Sequence, residues 1–298
     1  MRLDLAVSQA FGLSRRTARE AVRAGRVDVD GITADEPGGN VGQDAKITLS
    51  PGRPARYRVR SRLCVLAEDA DFLIVDKPAG LLTVPTAGQE KDTLLARALD
   101  YLHHRFGRRP TAFVVHRLDR DTSGAVVFAR TRSVLHFLQE LFRRHAIERE
   151  YIAIVEGNPS ESGRFSTALV TDRGDSRRGV ARAGEPGKRA VTRYRVVERL
   201  AGASLVSVEL ETGRTHQIRI HFASAGHPVL GDRVYRGRNA PPPPALAPRQ
   251  MLHARRLGFP HPRTGGAVRA ESPLPADFLD VLARLRAKRK APRKGPGR

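Results

Sequence analysis

Over the first fifty residues apolar positions recur at helical spacing. Leu3, Leu5, Ala6, Ala10 and Phe11 fit a short helix closed by Gly12, and Ser14 is placed to cap a second helix running to about Ala24, with Gly25 as its terminator. Val27-Asp28-Val29 and Ile32-Thr33 then flank Asp30-Gly31, the dipeptide of a tight hairpin. From Leu63 onward the rhythm is mixed. Phe72-Leu73-Ile74-Val75 predicts a buried strand ending at Lys77-Pro78-Ala79-Gly80. Further strands fit Phe113 to Val115, Ala125 to Phe128, Tyr151 to Val155, Ala190 to Val197 and Leu205 to Leu210, and helices fit Thr93 to Leu99 and Arg132 to Arg144. Thr215 is placed to cap a helix with an apolar stripe at Ile218, Phe222 and Ala225, leaving Arg219 offset from it. The stretches 172–188 and 237–249 read as loops. The pattern is that of an α+β protein: a small module over 1–52, a connector over 53–62, a large domain over 63–280 and a tail over 281–298.

Charge adds a partner to this outline. A formal net charge of +22 on 298 residues calls for a polyanion, although 46 Arg against 7 Lys is also what compositional bias would give, so distribution matters more than the total. Residues 1–50 carry seven basic and seven acidic groups, yet Arg15, Arg19, Arg23 and Arg26 fall near one face of the second helix, either as a surface for a polyanion or as a solvated one. The connector alternates Arg56, Arg58, Arg60 and Arg62, which suits a phosphate track or a plain linker equally. The last eighteen residues carry eight basic groups and no acidic one. Pro292, Gly295, Pro296 and Gly297 break any helix there, so the tail is expected to be mostly disordered and to add non-specific affinity for phosphates. No apolar run of eighteen residues and no signal-peptide pattern occurs, which predicts a cytoplasmic protein without a membrane partner. The single cysteine, Cys64, sits in the run Leu63-Cys64-Val65-Leu66, where a small buried role is expected; disulfides within the chain and zinc ribbons are excluded.

Two polar segments concentrate the candidate chemistry. His116-Arg-Leu-Asp-Arg-Asp-Thr-Ser-Gly124 lies between two apolar runs, which places Asp119 in a loop held by strands, with Arg117 and Arg120 nearby to keep a carboxylate ionised. Such a group serves as nucleophile or base, unless the loop's Asp and Ser merely cap backbone groups. Thr212-Gly-Arg-Thr-His-Gln-Ile-Arg-Ile-His221 offers a glycine turn feeding a helix start, and Arg214 or Arg219 would supply Asp119 with a buried cation. Other chemistries lack their residues. No Gly-x-Gly-x-x-Gly loop for a methyl donor occurs, Gly184 to Lys188 is too short for a nucleotide loop, and His216 and His221 are five apart with no His-Glu-x-x-His, which makes metal catalysis improbable.

Together with Leu66 to Gly80, Tyr151 to Gly157, Gly226 to Asp232 and Leu252-His-Ala254, these segments occur in the order expected of the RluA family of RNA pseudouridine synthases, which the chain resembles from about 63 to 280. Residues 1–50 resemble the small RNA-binding module first described in a small-subunit ribosomal protein. Arg149 departs from the family pattern, where a lysine is common, and no histidine precedes Pro85. The resemblance implies a catalytic fold of mixed, mainly antiparallel sheet with flanking helices, preceded by a small α/β RNA-binding module. It implies isomerisation of uridine to pseudouridine in ribosomal RNA, transfer RNA or both, with no cofactor and, by default, a monomer. By motif position Asp119 would be the essential carboxylate, acting on the ribose or on the base. Arg219 would be its ion-pair partner, and Tyr151 would stack on the target base and help remove the proton from its carbon 5. Arg117 would enter the RNA stack, while Arg214 and His116, with Arg15, Arg19 and Arg23 of the first module, would contact RNA. The alternative is a non-catalytic RNA-binding protein.

Overall fold

The computed structural model describes residues 1–34, 36–42, 44–53, 63–106, 111–171, 177–237 and 240–290. They fall into two compact units, Met1–Arg62 with Pro85–Arg108, and Leu63–Val84 with Arg109–Arg298. The segment 85–108, placed in the large domain by sequence, thus groups with the first unit.

The first unit opens with α1 (Leu3–Phe11) and α2 (Arg15–Arg23), followed by β1 (Val27–Val29), β2 (Ile32–Ala34) and β3 (Ile47–Leu49) in the order β2-β1-β3. The local signals act as expected. Gly12 closes α1 in the left-handed conformation, and the Ser14 hydroxyl accepts the Thr17 N–H at the start of α2. Asp30 and Gly31 both have positive φ, 52° and 80°, which a two-residue hairpin turn of this twist requires. Leu3, Val7, Ala18, Val22 and Val27 form its core. Arg53, the first residue of the expected connector, bonds Asp28 and so belongs to the module; 54–62 lie outside the described residues. Later in the chain this unit includes α3 (Leu94–Phe106).

The second unit is built on one sheet. Its strands are β4 (Cys64–Glu68), β5 (Phe72–Lys77), β6 (Phe113–Val114), β7 (Ser123–Ala129), β8 (Glu148–Glu156), β9 (Ser162–Val170), β10 (Gly179–Val180), β11 (Lys188–Arg199), β12 (Ala203–Leu210), β13 (Leu252–Pro260) and β14 (Ala267–Glu271). Its helices are α4 (Arg132–Arg143), α5 (Gln217–Ser224) and α6 (Ala276–Lys290). The sheet runs β10-β9-β11-β12-β8-β13-β7-β5-β4, with β14 added to β13 and β6 to β7. Among the described strands every pairing is antiparallel except β13 with β7, which meet through His253 opposite Ser123 and Ala254 opposite Gly124. A Cβ on Gly124 would lie 2.2 Å from the Ala254 carbonyl oxygen, and its φ is +118°. Only glycine allows the two strands to close here.

Two apolar clusters cover the sheet. Phe72, Ile74, Val127, Leu138, Leu257 and Phe259 belong to one. Ile152, Ile154, Leu205, Leu230 and Met251 belong to the other, together with Phe278, Val281, Leu282 and Leu285 of α6. That last set corrects the expected tail. Residues 281–290 are helical and carry core side chains, because the three-and-four spacing of those four positions gives α6 an apolar stripe despite its flanking basic residues; Pro292 follows the helix end. Residues 291–298 lie outside the described set. Cys64 is exposed rather than buried, since it begins β4, the last strand on its side of the sheet.

Candidate active site

The loop between β6 and β7 is fixed at nearly every residue. Thr83 Oγ1 donates to the Leu118 carbonyl (3.1 Å) and accepts the Leu118 N–H (3.2 Å). Lys77, fully buried at the end of β5, donates its ammonium to the carbonyls of Pro78 (3.0 Å), Leu81 (2.6 Å) and Arg120 (2.7 Å). Burial, opposed by Asp121 and Asp119, brings its pKa down to about 7. Arg249, itself paired with Asp277 of α6 (2.7 Å), donates to the Asp121 carbonyl (3.0 Å) and to Ser123 Oγ (3.2 Å), while Gln250 Nε2 reaches Thr122 Oγ1 (3.0 Å). The strand register supplies these ties, because Lys77 pairs with Gly124 and His253 with Ser123. The Asp119 backbone is thereby held while its partly buried side chain projects toward α5.

That side chain meets α5. Arg219 Nη1 donates to Asp119 Oδ2 (3.1 Å), and its Nε and Nη2 form a two-pronged bond with Asp232 (2.6 and 3.0 Å). Asp232 is 1% exposed and accepts the N–H groups of Val234 and Tyr235 as well. Burial pushes Arg219 toward its neutral form, but the bonds to Asp232 and then Asp119 outweigh it, so the guanidinium is held charged. Its face lies 5.0 Å from the centre of the Tyr235 ring.

The entry to α5 differs from the sequence expectation. Thr215 is not the cap. His216 occupies that position in the left-handed conformation, and its side chain makes no cap bond. Instead Gln217 organises the turn, taking the Thr212 hydroxyl (2.8 Å) and the Arg214 N–H (3.0 Å) on its carbonyl oxygen and giving its amide to Val191 O and Thr192 Oγ1. Gln217 to Phe222 are all buried, so Arg219, offset from the apolar stripe, is enclosed within the fold as the buried cation expected beside Asp119.

Around Asp119 opens a cavity of about 720 Å³, lined among others by Tyr151, Arg149, Arg178, Arg214 and Arg219. Tyr151 is 8% exposed, and burial raises its pKa, so the phenol stays protonated at neutral pH. Arg149 gives Nη2 to Leu210 O (3.1 Å) and rests 5.1 Å from the Phe142 ring centre, with its buried Nε unpartnered. Arg117 and Arg214 are exposed on the wall. His116 also lines the wall, but its Nε2 accepts the Val127 N–H (3.2 Å) and its ring lies 4.8 Å from Phe142. Burial brings its pKa down to about 3. His116 is therefore a neutral bracket between loop and strand that also forms part of the cavity wall. In the first unit Arg15, Arg19 and Arg2 surround the fully buried Asp4, and Arg23 is exposed. The sequence reading brought Asp119, Tyr151 and Arg219 together; it missed Lys77, Asp232, Tyr235, Arg249 and His216, whose positions depend on distant pairings.

Comparison with known proteins places this geometry. Residues 71–224 match the RNA pseudouridylate synthase family, and residues 1–47 match the S4 domain. The chain belongs to the RNA pseudouridylate synthase family. The synthase is 39% identical to the ribosomal large subunit pseudouridine synthase D of Pseudomonas aeruginosa, over 97% of this chain and 93% of the relative. It is 35% identical to the protein of that name from Escherichia coli K12, over 96% and 91%. Among solved structures, human RNA pseudouridylate synthase domain containing 4 superposes with a TM-score of 0.63 at 25% identity, covering 75% of this synthase and 93% of the human chain. The chain is thus an RNA-modifying isomerase with an N-terminal RNA-binding module, and the reading as a purely RNA-binding protein is set aside. Among the described residues no helix is long and apolar enough to cross a membrane.

Proposed function

We propose that this synthase isomerises uridines of large-subunit ribosomal RNA, with Asp119 as the essential carboxylate. The substrate class rests on relatives named for that RNA that align over more than nine-tenths of both chains. The chemical reading is carried by one observation: a backbone-anchored carboxylate bonded to a buried arginine at 3.1 Å, opening into a cavity that also holds a protonated tyrosine.

In the reaction the bond from ribose C1′ to N1 of uracil breaks, the base turns, C5 bonds to the same C1′, the C5 proton leaves and N1 regains a proton. Atoms and electrons balance within the nucleotide, so no co-reactant is needed. Asp119 acts on the ribose or the base as an anion, and Arg219, anchored by Asp232, holds that charge in place before substrate arrives. Tyr151 stacks on the extruded uracil, a contact worth about 1–3 kcal/mol that offsets much of the cost of removing a base from its stack. Arg117 and Arg214 on the wall meet the RNA, and Arg15, Arg19 and Arg23 of the first module supply further phosphate contacts. The protein works as a monomer in the cytoplasm.

The test is a pseudouridine map. Ribosomal RNA from cells lacking the protein should miss specific large-subunit pseudouridines, restored by wild-type protein and not by Asp119→Ala. In vitro that variant should bind the RNA with near wild-type affinity and convert none. Restoration by Asp119→Ala would sink the chemical reading, and loss confined to transfer RNA would sink the substrate.

A further inference from the structure

We infer that His216, fixed in one tautomer by Tyr235, is a positioning residue for the Asp119 oxygen that Arg219 leaves open. The inference rests on the reading of Asp119 as the reacting carboxylate. His216 has φ 59°, a left-handed conformation that non-glycine residues adopt rarely, at the first position before an eight-residue helix. It does not use its side chain to cap that helix. The unusual backbone directs the imidazole elsewhere. Its Nδ1 lies 2.8 Å from the Tyr235 hydroxyl, and its Nε2 lies 3.7 Å from Asp119 Oδ1, the oxygen opposite the one bonded to Arg219.

Tyr235 is the part that makes the arrangement directional. Its ring supports the Arg219 guanidinium, its N–H is accepted by Asp232, and burial pushes its hydroxyl up to about 12, so it keeps its proton. A phenol that donates to Nδ1 leaves the neutral ring's proton on Nε2, and that N–H faces Oδ1. Asp119 is then oriented from two sides, by a full charge on Oδ2 and by a neutral dipole on Oδ1. A second cation there would hold the carboxylate too tightly to react. The groups facing the imidazole are Asp119 from the catalytic loop, Arg219 from α5, Asp232 and Tyr235 from the segment after α5, and Arg178 from the segment before β10. Burial, chiefly, and the two arginines favour the neutral ring, against the two aspartates. A separation of 3.7 Å is long for a hydrogen bond, as such contacts often are before substrate closes the site. Below its pKa the ring would carry protons on both nitrogens, force the Tyr235 hydroxyl to turn, and lock Oδ1 in an ion pair. Turnover should therefore have an acid limb that belongs to His216.

The experiment is single-turnover conversion of a large-subunit ribosomal RNA transcript between pH 5 and 9 by wild type, His216→Ala, His216→Gln, Tyr235→Phe and the Ala/Phe double variant. Gln places a non-titrating N–H near the position of Nε2, and Phe keeps the ring under Arg219. Expected are rate losses of roughly 10–100-fold for Ala and for Phe with KM within threefold of wild type. The double variant should be no slower than the worse single one, and Gln should recover much of the rate with a flattened acid limb. Wild-type rates and pH profiles in His216→Gln and Tyr235→Phe would overturn the inference, as would multiplicative losses or a loss seen only in KM. If His216→Ala does not fold, the Gln and Phe variants decide alone. Failure of wild-type protein to form pseudouridine would instead overturn the reading of Asp119.

Discussion

At the scale of single residues, neutrality is built in as deliberately as charge. His116 gives an acceptor to Val127 N–H, and burial lowers its pKa from 6.5 to about 3, while His221, held between Thr167 and Thr192, falls to about 4. A buried neutral histidine binds fewer protons folded than unfolded. Its contribution to stability is complete above pH 6.5 and is lost as pH falls toward the folded value. Denaturation midpoints measured between pH 7 and 4 should decline, and His116→Asn, which offers an acceptor without titrating, should show a shallower decline from a lower start. Gly124 is a sharper case. Its positive φ and the Ala254 carbonyl 2.2 Å from any added Cβ leave no rotamer to relax into. Gly124→Ala should cost about 3–5 kcal/mol, read as a lower urea midpoint at unchanged slope.

Among elements, α6 and the β7–β13 pairing do most to set the site. Phe278 and Leu285 are fully buried in the cluster shared with β8 and β12, so either substitution to Ala should cost about 2–5 kcal/mol by urea titration. Asp277, at the start of the same helix, anchors the Arg249 that holds the Asp121 carbonyl. Much of the architecture was legible in sequence. Gly12, Ser14 and Asp30-Gly31 act through their own backbones, and the apolar runs of β5, β7, β8 and β12 needed no partner to be recognised. β9, β13 and β14 were missed because their polar and basic positions become strand-like only when paired, as Arg256 does with Glu150 and Glu271. The site divides the same way. Asp119 and Arg219 stand in compact motifs, whereas Tyr235 and Arg249 lie in segments without a local signature, and Thr215 was preferred as a cap because side-chain chemistry does not reveal that His216 adopts a positive φ.

For the molecule as a whole, the basic charge is unevenly available. Arg19 donates to the buried Asp4 at 2.7 Å, with Arg2 and Arg15 on the same carboxylate, whose pKa is lowered first by Arg19. Arg23 has no such tie among the described residues and is exposed. Arg23→Ala should weaken RNA binding at low salt, reduce the slope of log affinity against log salt by about one, and leave the melting temperature unchanged. Arg19→Ala should lower the melting temperature as well, because it strips a partner from a buried charge. The strand order has a consequence in time. β13, near the end of the chain, slots between β7 and β8, and residues 249–253 supply ties that hold the loop carrying Asp119. At about 5–20 residues per second, a ribosome makes Asp119 on the order of ten seconds before His253. Throughout that interval the nascent chain holds its acid without the scaffold to aim it. With Asp119 as the reacting acid, as proposed, the chain would become active toward ribosomal RNA only once residues 249–253 have joined the sheet, at the end of synthesis or after it.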